Sequence, residues 1–190
     1  APGIKKMYNN YLIPYWQDRI YDNNVWKNIY NIPNDVLWNT HLTYKKKLIE
    51  EINKNVRRRM SENGATYDEI VETVGKINEN DLIIGFARRF ATYKRATIIF
   101  EDLERLTQLL NDEKRPVKLV FAGKAHPADV MGQELIKRID EVSKMPQFKG
   151  KIMLLENYNM GLSRMLVAGV DVWMNNPRRP YEASRNKWTK

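Results

Sequence analysis

Asp81-Leu82-Ile83-Ile84-Gly85-Phe86-Ala87-Arg88-Arg89-Phe90-Ala91-Thr92-Tyr93-Lys94-Arg95 is the stretch on which the reading of this chain turns. Leu82–Ala87 is a short apolar run with β-branched residues, which predicts a strand. A helical pattern follows from Tyr93. Four cations, Arg88, Arg89, Lys94 and Arg95, thus surround a strand-to-helix turn. Successive strand residues point to opposite sides, so Arg88 and Arg89 reach different targets. With Thr92 as cap, Lys94 and Arg95 fall in the first helical turn. A cation there opposes the helix dipole unless an anion sits nearby. Helix starts are also natural phosphate sites. The stretch reads as an anion cradle, for phosphate, at the mouth of an α/β sheet. Charge alone favours a solvated basic turn paired to surface carboxylates, since basic runs are usually solvated faces.

Downstream, the same grammar repeats. Val117–Ala122, Lys151–Leu155 and Asp171–Met174 are further short apolar runs, and helical patterns cover Tyr93–Leu110, Val130–Ser143 and Met160–Val167. Strand-helix alternation at this spacing predicts a parallel sheet with crossover helices, a Rossmann-like α/β fold. Binding groups gather at the carboxyl ends of such strands. There stand Arg88-Arg89, Gly123-Lys124-Ala125-His126-Pro127, Glu156-Asn157-Tyr158 and Asn175-Asn176-Pro177-Arg178-Arg179. Gly123-Lys124 is not a nucleotide-binding P-loop, because the upstream glycine and the Lys-Ser/Thr pair are absent.

Upstream, residues 1–80 read as helical, and residues 81–190 as a partial α/β domain. Leu37, His41, Tyr44, Leu48, Ile52, Val56 and Met60 recur at helical spacing and predict one long amphipathic helix, stopped by Asn63-Gly64. His41 on that stripe is a core or boundary histidine rather than a ligand. A short helix is expected over Tyr67–Val74. Tyr8, Tyr11, Tyr15 and Trp16 are more simply used in helix packing than in stacking on sugar.

The 190 residues carry 32 basic and 23 acidic side chains, a net charge of +9, which favours anionic partners. Lys45-Lys46-Lys47 and Arg57-Arg58-Arg59 are the densest basic runs. On a helix, neighbours fan out in steps of roughly 100°, so both are expected on a solvated exterior and not as one nucleic-acid stripe. Cysteine is absent, which excludes disulfides and cysteine zinc sites; with two histidines only, a histidine-rich metal site is excluded as well. No apolar run is long enough to cross a membrane, and no secretory signal is visible, so a cytoplasmic location is expected.

Taken together, Arg88-Arg89 with Tyr93-Lys94-Arg95, Phe121-Ala122-Gly123-Lys124-Ala125-His126-Pro127, Glu156-Asn157-Tyr158 and Asn175-Asn176-Pro177-Arg178-Arg179-Pro180-Tyr181-Glu182-Ala183-Ser184 resemble the α-glucan phosphorylases. The similarity is to their shorter bacterial and archaeal type. Tyr15-Trp16, Val25-Trp26, Asn31-Ile32-Pro33 and Leu37-Trp38 extend it through the N-terminal helices. The resemblance implies the first half of the C-terminal domain of a GT-B glycosyltransferase. It implies phosphorolysis of α-1,4-glucan by inorganic phosphate to give glucose 1-phosphate, pyridoxal phosphate as cofactor, and homodimers in the full-length family. Arg89 and Lys94 match the residues that hold substrate phosphate. Arg88, Tyr158 and Asn175 match positions on the cofactor side. Glu182, Ala183 and Ser184 match the loop that hydrogen-bonds the transferred glucose. Arg88, Arg89 and Lys94 are therefore expected to converge beside a hexose pocket.

After Ser184 the family continues Gly-Thr-Ser-Gly and then the lysine that carries the cofactor, whereas this chain reads Arg185-Asn186-Lys187-Trp188-Thr189-Lys190. The codons AGG-AAC-AAG-TGG-ACA-AAG would encode this tail; shifted by one base they read Gly-Thr-Ser-Gly-Gln. Residues 185–190 are therefore expected to be a frameshifted remnant. The chain is expected to be a truncated fragment, inactive alone and without covalent cofactor. Two other readings remain open at this stage. A GT-B nucleotide-sugar glycosyltransferase would use Arg89 and Lys94 on a nucleoside diphosphate. A basic nucleic-acid module would need aromatics interleaved with cations on one face, which the placement of Tyr44 on the apolar stripe disfavours.

Overall fold

A four-stranded parallel sheet in the order β3-β2-β1-β4 organises the molecule, with β1 spanning Leu82–Ala87, β2 Val117–Ala122, β3 Ile152–Leu155 and β4 Val172–Trp173. This is a computed structural model, and it describes residues 1–181. The helices are α1 (Pro2–Tyr11), α2 (Asn23–Lys27), α3 (Asn34–Glu62), α4 (Tyr67–Thr73), α5 (Leu103–Leu110), α6 (Val130–Ser143) and α7 (Met160–Gly169). The fold class is the expected α/β. β1 and β2 have the bounds expected from their apolar runs. β3 and β4, at the sheet edges, are shorter than expected, although the carbonyl of Lys151 and the amide of Asp171 still take part in the ladder.

Period-two alternation sends the strands' side chains to two separate cores. Ile83, Ala87, Val120, Ala122, Met153 and Leu155 meet α3 and α7 through Leu48, Ile52, Val56, Leu162 and Leu166. Phe86, Leu119, Phe121, Ile152 and Leu154 meet α5 and α6 through Leu106, Leu110, Ile139 and Val142. Both faces are covered, as a parallel sheet requires. Fully burying one leucine such as Leu48 contributes about 2 kcal/mol.

The long helix α3 forms as its apolar spacing predicts, and Gly64 at φ 76° ends it, its N–H bonding the carbonyl of Ser61. Thr66 and Glu69 then start α4 with a reciprocal capping box. Leu37, expected on the buried stripe, is exposed, because the first turns of α3 lie beyond the sheet. There α1 is the neighbour, and the Gly3 N–H donates to the Tyr44 hydroxyl at 2.5 Å. Tyr8, Trp16 and Trp26 pack edge to face at 5.3–6.0 Å, so Tyr8 and Trp16 serve helix packing as expected. Tyr15 is exposed.

Two further expectations need correction. The helix predicted over Tyr93–Leu110 is broken into a 3₁₀ turn at Thr92–Lys94, another at Ile98–Phe100, and α5. Arg95 sits in the left-handed region at φ 48°, and the β-branched run Thr97-Ile98-Ile99 favours helix weakly. Asp102, not Thr92, caps the α-helix, its carboxylate accepting the Arg105 N–H at 2.9 Å. The helix-dipole argument for Lys94 and Arg95 therefore lapses. Second, Lys45 is not on a solvated exterior: its side chain is 2% exposed. Its ammonium donates to the Asp171 carboxylate at 2.7 Å and to the Asp81 carbonyl at 2.6 Å. His41, the expected boundary histidine, holds the other Asp171 oxygen at 2.8 Å. Arg59 of the second basic run is also largely buried and meets Asp140 at 3.2 Å.

Candidate functional site at the carboxyl edge of the sheet

Buried apolar residues pin both ends of the Arg88-Arg89 pair. Ala87 closes β1 at 4% exposure, and Phe90, fully buried, stacks on Phe86 at 5.8 Å. The backbone is held as well: the Arg88 N–H donates to the Ala122 carbonyl at 3.1 Å and the Phe90 N–H to the Lys124 carbonyl at 3.0 Å. Glycine makes this approach sterically feasible. A Cβ on Gly123 would lie 1.9 Å from the Arg88 carbonyl oxygen, and one on Gly132 would lie 2.7 Å from that of Phe90. Gly123 at the end of β2 is thus required by close backbone approach.

The strand ends meet through side chains. Arg88 Nη1 donates to Asn175 Oδ1, which joins the end of β1 to the segment after β4. Tyr158, after β3, holds its hydroxyl 3.1 Å from Ser163 Oγ and 3.5 Å from the Ala87 carbonyl. Its single hydroxyl proton serves one of these at a time, and the shorter contact is the better bond. Lys94 Nζ lies 5.5 Å from the centroid of the Tyr93 ring. Arg89 is exposed, and among the described residues no carboxylate pairs with it. The fold therefore brings Arg88 and Asn175 into contact, sets Tyr158 against the end of β1, and carries Arg89 and Lys94 on the same loop. Glu182, Ala183 and Ser184, and the tail at 185–190, lie outside the described residues.

Beside this cluster the Tyr93–Arg95 turn is clamped to the segment after β4. Arg95 Nε donates to the Asn176 carbonyl at 2.9 Å, Asn176 Nδ2 returns a bond to the Arg95 carbonyl at 3.1 Å, and the Arg178 N–H donates to the Tyr93 carbonyl at 2.7 Å. A recess of about 240 Å³ opens there, lined by Arg95, Asn175, Asn176, Arg178 and Arg179. Arg88, Arg89 and Lys94 do not line it. From this set, sequence reasoning drew Arg95 into the anion cradle and Asn175 to the cofactor side, and gave Asn176, Arg178 and Arg179 no individual role. The Asn-Asn-Pro-Arg-Arg run was visible as a strand-end motif, but the partnership of Asn176 with Arg95, 81 residues away, was not. No group of acidic or histidine side chains able to hold a metal occurs among the described residues, and no helix there is long and apolar enough to cross a membrane.

No protein-family model matches the chain. Among characterised proteins, maltodextrin phosphorylase of Thermococcus litoralis is 50% identical over 181 residues, which is 95% of the chain and 21% of that relative. Glycogen phosphorylase of Aquifex aeolicus is 40% identical over 180 residues, 95% of the chain and 26% of the relative. Glycogen phosphorylase of Mycobacterium bovis is 42% identical over 159 residues, 84% of the chain and 18% of the relative. The chain thus spans about a fifth to a quarter of the length of the relatives it matches. The matched span includes the parallel sheet and its cationic carboxyl edge, and on that ground the chain belongs to the α-glucan phosphorylase family.

Proposed function

We propose that this chain furnishes the phosphate-handling wall of an α-1,4-glucan phosphorylase, in which inorganic phosphate displaces the terminal glucosyl unit as glucose 1-phosphate. The observation that carries the reading is the Arg88–Asn175 contact. It closes the end of β1 against the segment after β4 and sets the cationic loop at the carboxyl edge of a parallel sheet, where ligands of such folds bind. Arg89 and Lys94 hold the substrate phosphate. Arg88 and the Asn175 amide hold the cofactor phosphate, and Tyr158 stands on the cofactor side. Pyridoxal phosphate, when bound, supplies a phosphate group that exchanges a proton with the substrate phosphate. The donor set fits such a group, because a guanidinium and an amide nitrogen offer only N–H donors. Glu182, Ala183 and Ser184 orient the glucose hydroxyls.

Electrostatics set the role of the cations. Two like unit charges about 4 Å apart repel by about 4 kcal/mol at an effective dielectric near 20. Two phosphates cannot share a site without compensation, and Arg88, Arg89 and Lys94 provide it. No pair of carboxylates is invoked, which separates the reaction from glycoside hydrolysis.

A chimera tests this. Residues 1–181 replace the corresponding span of the Thermococcus litoralis maltodextrin phosphorylase, and phosphorolysis of maltodextrin is measured. Activity is expected, and Arg89→Ala or Lys94→Ala in the chimera is expected to lower kcat/KM for phosphate by about 100-fold or more, as loss of a charged transition-state contact does. A folded chimera whose activity ignores both substitutions would overturn the assignment. Saturable binding of nucleoside diphosphate-glucose, with none of phosphate or glucose 1-phosphate, would favour a nucleotide-sugar transferase instead.

A further inference from the structure

We infer that the recess formed by Arg95, Arg178 and Arg179 is a second oxyanion site, for a phosphate-class dianion, separate from the Arg89 and Lys94 cradle. Three arginines line one recess of about 240 Å³, together with Asn175 and Asn176. Among the described residues no carboxylate pairs with any of the three. Like charges gathered around one cavity repel, and an anion inside it removes that cost. The recess is built rather than incidental. The reciprocal Arg95–Asn176 hydrogen bonds and the Arg178–Tyr93 backbone bond fix both of its walls. Arg95 holds a left-handed backbone at φ 48°, an uncommon conformation for a residue with a side chain, and its Nε is already engaged. The terminal amines of Arg95 remain as planar donors, the geometry that suits phosphate.

The site shares the loop that carries Lys94, because Arg95 directly follows the 3₁₀ turn Thr92–Lys94. An anion here would therefore brace that turn against the segment after β4. Inorganic phosphate and the phosphoryl group of a sugar phosphate offer the same chemistry. The inference does not depend on the phosphorolysis reading, since it concerns different side chains.

The test uses the whole 190-residue chain labelled with ¹⁵N-arginine. Side-chain Nε–Hε resonances are followed while inorganic phosphate, and in a second arm glucose 1-phosphate, is added at constant ionic strength with chloride as the balancing salt. Saturable shifts of Arg95, Arg178 and Arg179 are expected, and they are expected to persist in the Arg89→Ala/Lys94→Ala double variant. Arg178→Gln and Arg179→Gln, both at exposed positions, should each weaken that saturation by about tenfold without changing the unfolding midpoint. Response to phosphate alone identifies the free anion as ligand; equal response to both identifies the phosphoryl group whatever carries it. Shifts that rise linearly without saturating, or that vanish in the double variant, overturn the second site. An Arg89 resonance that does not respond in the unsubstituted chain, while those of Arg95, Arg178 and Arg179 do, would count against the proposed function and leave this site standing.

Discussion

Lys45 shows how much one buried charge depends on a distant partner. Its ammonium lies within the sheet core, held by Asp171, which is 126 residues away in sequence. Burial pushes the Asp171 carboxyl upward, but the Ile83 N–H at 2.7 Å, with Lys45 and His41, outweighs burial and holds it below the usual carboxylate range. A carboxylate with a depressed folded value contributes stability above its unfolded value and loses it as pH falls through the folded value. This contribution is therefore intact above about pH 4 and fades below it. Asp171→Asn should leave an acid-unfolding curve with a flatter limb in that window, measured by circular dichroism. Lys45→Ala, which strands the carboxylate, should cost about 3 kcal/mol in urea unfolding at neutral pH. In sequence, Lys45 differs from Lys46 and Lys47 by falling on the apolar stripe, at helical spacing from both His41 and Leu48. The helical period thus turns Lys45 inward, but the counter-charge that makes burying its ammonium tolerable comes from Asp171, just before β4, and is a tertiary fact.

At the scale of elements, the strands were legible and the connection after β1 was not. Each strand is an apolar run whose alternation serves two cores, and those cores need no special partner to be recognised. The segment 93–110 has apolar residues at helical spacing, yet Arg95 turns left-handed and Asp102 restarts the helix. Packing of the Tyr93–Arg95 turn onto Asn176 and Arg178 competes with local helix formation and wins, because three hydrogen bonds fix it. The loop that bears Arg88 and Arg89 depends on Gly123 in the same way. Gly123→Ala would drive a methyl to within 1.9 Å of the Arg88 carbonyl. We expect about 3 kcal/mol of destabilisation from this overpacking, read as a lower urea midpoint, and a weaker phosphate response of Arg89 in the refolded protein. Gly132→Ala, against the Phe90 carbonyl at 2.7 Å, should be milder in both readouts.

For the molecule as a whole, the chain matches about a fifth of the length of the Thermococcus litoralis relative, and on the proposed function it supplies one wall of a cleft. The 190 residues assayed alone should yield no glucose 1-phosphate from maltodextrin and phosphate, and should show no absorbance band of covalently held pyridoxal phosphate after expression; either signal would contradict the proposed division of labour. On the proposed function the net charge of +9 serves one wall of a phosphate site. Binding of a mixed-sequence oligonucleotide should accordingly be weak and should disappear at moderate salt. Read alone, the amino-acid order established the α/β class, the parallel sheet, the long apolar helix and the gathering of cations at strand ends. These follow from periodicity and from the rule that parallel strands end together, both of which are local or topological. Tertiary structure alone decided that the Lys45 ammonium meets Asp171, that Arg88 meets Asn175, and that Arg95, Arg178 and Arg179 share a recess. Each of those depends on contacts between residues some 80 to 130 positions apart, and no local pattern encodes the free energy of a contact that forms only once the sheet has assembled.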